Sequence, residues 1–223
     1  MVAIERENPR ISINKISKYV TALPSRRRTI IKQQKRPSSF VVSYYKDAEK
    51  IIVEYLTSPD VQSEWLDSQI QELSNKSVST EWEETRRNIC IDALDSFIEF
   101  MEELDFGNLS CIMGESKPEK LSIAGVQISV RPEIYLIDKD RNVKGCVKLV
   151  LGKGREVSAD EAGYTGVCLQ RWMMEQFNVS NNKTCFLIDI FGGICHIAPK
   201  AYRKKMSDIE AACEEIVRAW ANA

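Results

Sequence analysis

Histidine is nearly absent from this sequence, and so are the close cysteine pairs on which zinc sites depend. One histidine, His196, stands among 223 residues, and no two of the seven cysteines have the spacing of about two to four residues that paired zinc ligands show. An odd number of cysteines in a chain without a secretory signal predicts buried, reduced thiols. His196 lies in a strand-like alternation typical of a structural residue. Neither a zinc site nor a cysteine–histidine catalytic pair is therefore expected.

Long apolar runs are lacking as well. No stretch reaches the roughly 18 consecutive apolar residues of a transmembrane helix, and the first fifteen residues carry five charged side chains instead of an apolar signal segment. The sequence therefore predicts a cytoplasmic protein without a membrane partner. Its 43% hydrophobic and 28% charged residues are typical of a folded globular chain.

Net charge is only −1, but the two signs are segregated along the chain. Residues 1–50 hold 12 basic and 4 acidic side chains, a net charge of +8, whereas residues 51–107 hold 3 basic and 14 acidic side chains, a net charge of −11. Two interpretations are open. The basic block binds phosphates, or the two blocks face each other within the fold or across a dimer, which favours a homo-oligomer or a partner protein.

The densest basic segment is the electrostatic candidate for nucleic-acid binding. It is predicted to form a short helix between Pro24 and Pro37, with Ile30 and Ile31 as its apolar contact. Its basic side chains form the predicted binding set for DNA or RNA: Arg26, Arg27, Arg28, Lys32, Lys35 and Arg36.

Hydrophobic periodicity divides the chain into two parts. Residues 1–78 show the three- and four-residue apolar spacing of helices and are predicted to be a helical, basic-then-acidic region. Residues 79–223 begin with a helix, change to the two-residue period of strands, and return to a helix capped by Ser158 and Glu161 before two last strands and a terminal helix. The expected fold is α/β (α+β), in which an N-terminal helical region precedes a mixed β-sheet flanked by helices.

Capping and turn residues predict several boundaries. A helix is expected from Ser39 onward, the next one from the cap at Ser58 and Pro59, and the last one from Ser207. The stretch 121–130 is expected to be one strand.

Glu133 and Lys148 stand out among the predicted strands. Glu133 opens a strand directly after Pro132, and Lys148 is the only charge in the apolar strand 145–151. A polar turn at 138–142 joins the two strands as an antiparallel hairpin, which places Lys148 next to Glu133. A buried ammonium needs an anionic partner unless it reaches solvent, so Lys148 belongs either to a site or to a protected edge strand. A carboxylate and a lysine on neighbouring strands suit metal-assisted phosphodiester hydrolysis, with Glu133 as the Mg²⁺ ligand and Lys148 orienting the attacking water.

These residues and the elements around them resemble the PD-(D/E)XK nuclease superfamily, in its RecB-like exonuclease branch. The resemblance covers about residues 85–200, as helix, three strands, helix and strand. Pro132-Glu133 stands in the place of the family's Pro-Asp, and Cys146-Val147-Lys148 in the place of its (Asp/Glu)-x-Lys motif. The run 160–164, Asp-Glu-Ala-Gly-Tyr, is similar to the branch's Gln-x-x-x-Tyr element. The resemblance implies an Mg²⁺-dependent nuclease with Glu133 and Lys148 as catalytic residues.

The sequence departs from that family at Cys146. A neutral thiol is a poor ligand for Mg²⁺, which prefers oxygen. Another acid would have to complete the site, either Glu102 from the helix before the strands or Asp160 or Glu161 from the helix after them. Glu161 has a competing role in its capping box.

Three hypotheses for function remain. The first is a nuclease-like protein that hydrolyses phosphodiester bonds with Mg²⁺. The second is a catalytically inactive nucleic-acid-binding module with the same fold. The third is a protein-interaction or assembly module built by the oppositely charged blocks. Whether the chain is an enzyme depends on whether another acid takes the place of the one that is missing at Cys146. The nuclease-like hypothesis is the one favoured.

Overall fold

The computed structural model describes residues 5–37, 44–154 and 156–223. Within these ranges seven α-helices are found: α1 (Ile13–Thr21), α2 (Pro24–Lys35), α3 (Lys46–Thr57), α4 (Ser63–Asn75), α5 (Glu81–Ile98), α6 (Ala159–Phe177) and α7 (Tyr202–Trp220). The same ranges contain eight strands: β1 (Arg10–Ser12), β2 (Ser110–Met113), β3 (Leu121–Ile123), β4 (Val126–Ser129), β5 (Ile134–Ile137), β6 (Val143–Val150), β7 (Cys185–Asp189) and β8 (Ile194–Ile197). The predicted helix start at Ser39 lies outside the described residues.

The larger sheet is mixed and has the strand order β2-β5-β6-β7-β8. Its neighbours are antiparallel except for β6 and β7, which run parallel. A parallel pair needs a crossover connection, and α6 supplies it. The α+β class and the mixed sheet flanked by helices, predicted from the sequence, are confirmed.

The smaller sheet has the order β1-β4-β3, with β1 parallel to β4. The single strand predicted at 121–130 is wrong, because the chain reverses between β3 and β4 at Ala124 and Gly125, whose φ angles are +43° and +80°. Two consecutive residues with positive φ form the tight turn of a β-hairpin. Alanine at the first position carries none of the usual asparagine or aspartate signal of such a turn.

Two helix starts also differ from the prediction. Ser58 and Pro59 do not open α4. Ser58 instead terminates α3, and its carbonyl accepts from Val61 N at 3.1 Å in a turn that precedes the helix. The last helix begins at Tyr202, five residues before Ser207, without a side-chain cap. Apolar packing of its first turn takes the place of a cap, since Met206 is buried in the core.

The larger sheet separates two apolar cores. The first core lies on the sheet face covered by α1, α2, α6, α7 and the smaller sheet, and includes Ile16, Tyr19 and Trp172. The second core lies on the opposite face, under α3, α4 and α5, and includes Ile52 and Phe97. The N-terminal helical region therefore packs on both faces of the sheet.

Among the described residues, no helix combines the length and the apolar character needed to cross a bilayer.

Candidate active site

Glu133 and Lys148 meet on the larger sheet as predicted. Ile134 pairs with Val147 and Tyr135 with Cys146, so Glu133 and Lys148 are the next two residues opposite each other across β5 and β6. Lys148 Nζ forms an ion pair and hydrogen bond with Glu133 Oε1. Both side chains are nearly inaccessible, with 11% of Lys148 and 3% of Glu133 exposed.

Lys148 does not protect a sheet edge. Its strand β6 has β5 on one side and β7 on the other, so the lysine lies at the centre of the sheet. The edge-strand interpretation is therefore wrong, and Glu133 is the anionic partner that a buried ammonium requires.

The backbone around Glu133 explains why its carboxylate points at β6. Its Oε2 accepts from Leu149 N at 2.7 Å. Leu149 lies opposite a position before the start of β5, where that strand offers no backbone acceptor. Its own N–H donates to Val147 O at 3.0 Å, and its carbonyl accepts from Gly114 N at 2.8 Å. A Cβ on Gly114 would lie only 2.3 Å from Pro132 O, so a glycine is required where β2 approaches this site.

A second acid, Glu49 on α3, lies beside this pair. Arg131 Nη2 donates to Glu49 Oε1 at 2.7 Å. Burial, together with the nearby negative charge of Glu133, raises the pKa of the Glu49 carboxyl. Sequence reasoning missed Glu49, because it precedes Arg131 by 82 residues and stands in the first turn of a helix, where acids are common.

Glu49 and Glu133 share a cleft of about 230 Å³ at the end of β2 and the start of β5. The charged side chains of both signs that line it are Lys46, Glu49, Lys50, Glu115, Arg131 and Glu133. The site is thus a small cleft with charged side chains of both signs, and Glu133 in its wall is bonded to the buried Lys148 behind it.

Cys146 does not take part in this cleft. It is fully buried and stands opposite Cys185 on β7. The contact with Cys185, followed by burial, raises the pKa of the Cys146 thiol well above its ordinary value. The side chain is therefore a neutral core residue at the position where the family motif has an acid.

The three other predicted acids are not bonded to the Glu133–Lys148 pair. Glu102 is exposed in a single 3₁₀ turn after α5. Asp160 pairs with Lys205 at 3.0 Å, and buried Glu161 accepts from Thr21 Oγ1 at 3.4 Å. In the described part of the chain, no hydrogen bond or ion pair joins any of the three to Glu133 or Lys148.

The basic set on α2 divides in two. Arg27 is structural, since it pairs with Glu215 at 2.9 Å and donates to three backbone carbonyls. Lys35 and Arg36 pair with Glu5 at 3.4 and 3.2 Å. The remaining three are exposed to solvent, namely Arg26, Arg28 and Lys32.

The ion pairs of Arg27, Lys35 and Arg36 in the basic block lead to Glu5 and Glu215, neither of which belongs to the acidic block 51–107. That the two blocks face each other, within the fold or across a dimer, stays a prediction.

The carboxylate oxygens in the cleft are the kind of ligand atom that Mg²⁺ prefers. Glu49 and Glu133 supply hard carboxylate oxygens. Their mutual repulsion contributes to the raised pKa of Glu49, and a bound divalent cation would relieve that repulsion. No group of three or more histidine, cysteine or acidic side chains within the described ranges is arranged to hold a metal. Mg²⁺ is commonly bound by one or two carboxylates, with water and substrate phosphates completing its shell, so two acids are sufficient.

Comparisons with known proteins do not assign this chain to a family. No protein-family model matches the chain, and no curated protein sequence is significantly similar to it.

Proposed function

We propose that this protein is nuclease-like and hydrolyses phosphodiester bonds of DNA or RNA in an Mg²⁺-dependent reaction. The observation that carries the proposal is the contact between Glu133 and Lys148 on adjacent strands, with Glu49 beside them in one cleft. The resemblance to the PD-(D/E)XK superfamily supports the same function. The order α5, β2, β5, β6, α6, β7 matches the expected helix, three strands, helix and strand, with the β3–β4 hairpin inserted after β2.

Each side chain has a definite role in this proposal. Glu133 and Glu49 would hold Mg²⁺, and the bound ion would supply Lewis-acid activation of a phosphoryl oxygen. The Lys148 ammonium would donate a hydrogen bond to the attacking water and stabilise negative charge on the phosphate. Arg131, which is half exposed at the rim, attracts the substrate phosphate.

Cleavage by conservative variants tests the proposal. The variant Glu133→Gln keeps the size of the side chain but loses the carboxylate, and its single amide oxygen can replace only one of the two oxygens that accept from Lys148 and Leu149. The variant Lys148→Arg keeps the charge but changes its geometry. Both are expected to lower Mg²⁺-dependent cleavage of single-stranded and plasmid DNA by at least about 100-fold. The matched control is Lys144→Arg on the same strand, whose side chain is half exposed and pairs with Asp138 at 3.3 Å. Unchanged cleavage in either site variant would remove the assigned centre.

A second candidate function is nucleic-acid binding without hydrolysis. The burial of Cys146 against Cys185 favours it, because the acid expected at that position is missing. This candidate predicts salt-sensitive binding of DNA by the wild-type protein and no cleavage in Mg²⁺. Cleavage that is abolished by Glu133→Gln would exclude it.

A further inference from the structure

A groove runs along α1, from the start of α2 to the end of β6. It consists of two adjoining cavities of about 500 and 300 Å³, which share Lys15, Lys18, Glu156 and Glu161 in their walls. We call it the α1 groove and define it by Lys15, Lys18, Thr21, Arg26, Lys153 and Ser158. Neither the cleft at Glu133 nor the far end of α2 belongs to it.

Positive and hydrogen-bonding groups dominate the walls of the α1 groove. Four basic and two acidic side chains line its two cavities together. In the part of the chain that the structure describes, Lys15 and Arg26 take part in no ion pair, whereas the acid Glu161 accepts from Thr21. A surplus of cations beside hydroxyl groups points to an anionic ligand.

An unpaired polar atom lies in the same groove. Asn14 lines the second cavity, and its enclosed Oδ1 has no hydrogen-bond partner among the described residues. Enclosed polar atoms normally have partners, so this amide oxygen points to a donor that the described residues do not supply. The amide nitrogen and oxygen exchange places by a flip of the side chain, and either orientation can serve a phosphate or a sugar hydroxyl.

The groove is rigidly built. Ser17 on α1 and Thr165 on α6 share a buried hydrogen bond of 2.7 Å, and Ser17 Oγ also donates to Ile13 O at 3.0 Å. Because this bond joins the two helices below the groove, the spacing of its walls is fixed in the absence of a ligand.

The groove leads toward the proposed active site. Val150 lines the second cavity and follows Lys148 by two residues on β6, so the two side chains lie on one sheet face about 7 Å apart along the strand. The groove therefore ends two residues along β6 from Lys148, which is itself buried and lines neither cavity.

We infer that the α1 groove binds the sugar–phosphate backbone of one nucleic-acid strand. The inference rests on the proposed function, since it names the strand class that the site receives. Each cavity has the volume of a small-molecule site, which takes a strand one nucleotide at a time and excludes a duplex. Lys15 and Arg26 bind phosphates in this arrangement.

Binding of a single strand in the absence of metal tests the groove. The probe is a fluorescein-labelled, mixed-sequence 20-nucleotide DNA, and its fluorescence anisotropy is measured in EDTA over a series of salt concentrations. Relative to wild type, the double variant Lys15→Ala/Arg26→Ala is expected to raise Kd at least about tenfold and to reduce the slope of log K against log salt by about 1.4, the value for two lost phosphate contacts. The matched control, Lys139→Ala/Arg141→Ala, removes two exposed charges from the turn between β5 and β6 and leaves both values unchanged.

Two results would overturn the inference. One is that the groove variant and the control variant raise Kd by the same factor, or that neither raises it, because the groove then contributes nothing specific to binding. The other is competition by an unlabelled 20-base-pair duplex as effective as that by the unlabelled single strand. Because the binding is measured without Mg²⁺, loss of the proposed hydrolysis and loss of the groove are separate outcomes.

Discussion

Glu133 and Lys148 give up almost all of their hydration to form an ion pair inside a central strand, although an apolar pair of similar volume would pack there without that penalty. Leu149 N donates to the second carboxylate oxygen and so compensates part of the desolvation. Stability alone therefore does not explain these two residues. The proposed hydrolysis would give them a role, because a charge held in a water-poor position acts strongly on a substrate.

The energetics of the pair are measurable at the residue scale. Lys148→Met leaves the Glu133 carboxylate buried without its partner, and we expect the free energy of unfolding to fall by about 3–5 kcal/mol. The double variant Glu133→Gln/Lys148→Met removes both charges and should lose clearly less. Urea unfolding followed by circular dichroism measures both values. A double variant at least as unstable as Lys148→Met would show that the pair itself stabilises the fold.

At the scale of elements, α6 carries the crossover between β6 and β7 and touches both the sheet and the C-terminal part of the chain through its glycines. Gly166 faces the backbone of Ala198, where an added Cβ would lie 2.8 Å from Cα. Gly163 faces the flexible end of Lys205, where an added Cβ would lie 2.8 Å from Cε. An added Cβ therefore meets a fixed backbone atom at Gly166 and the movable end of a side chain at Gly163.

These two glycines form a matched pair for mutation. Gly166→Ala is expected to destabilise the protein by about 1–3 kcal/mol, because the strand end at Ala198 cannot retreat without disturbing the sheet. Gly163→Ala should be neutral or stabilising by up to about 1 kcal/mol, since alanine favours the helix and Lys205 can move aside. Thermal unfolding of the two variants gives the comparison. A Gly166→Ala protein as stable as wild type would contradict the close packing of α6.

Elements with local signals were predictable from the sequence, and those that depend on distant partners were not. The predicted capping box of α6 is confirmed, since Ser158 Oγ accepts from Glu161 N at 3.2 Å, and Thr80 Oγ1 caps α5 in the same way by accepting from Glu83 N at 3.2 Å. The antiparallel pairing of β5 with β6, which brought Glu133 to Lys148, followed from a polar turn. By contrast, β1 has three residues and exists only because β4, more than a hundred residues later, pairs with it. Glu49 was missed for the same reason, because tertiary packing alone brings α3 to the cleft.

At the scale of the whole molecule, the N-terminal helices supply side chains to both cores. Ile13, Ile16 and Tyr19 enter the first core, and Ile51, Ile52 and Leu66 enter the second. Each is buried, with an exposed fraction of 8% or less. Residues 5–37 and 44–78 therefore supply part of the apolar covering on both faces of the sheet.

Residues 79–223 are therefore not expected to fold alone. Fully burying one large apolar side chain contributes about 1.5–3 kcal/mol, so six such side chains contribute about 9–18 kcal/mol, which is comparable to the whole stability of a typical domain of about 5–15 kcal/mol. The fragment 79–223 should lack a cooperative thermal transition, whereas the full chain should unfold in one transition seen both by tryptophan fluorescence and by far-ultraviolet circular dichroism. Adding a separately produced 1–78 fragment should restore part of the transition. A sharp unfolding transition in fragment 79–223 alone would show that the two apolar faces are stable without their N-terminal cover.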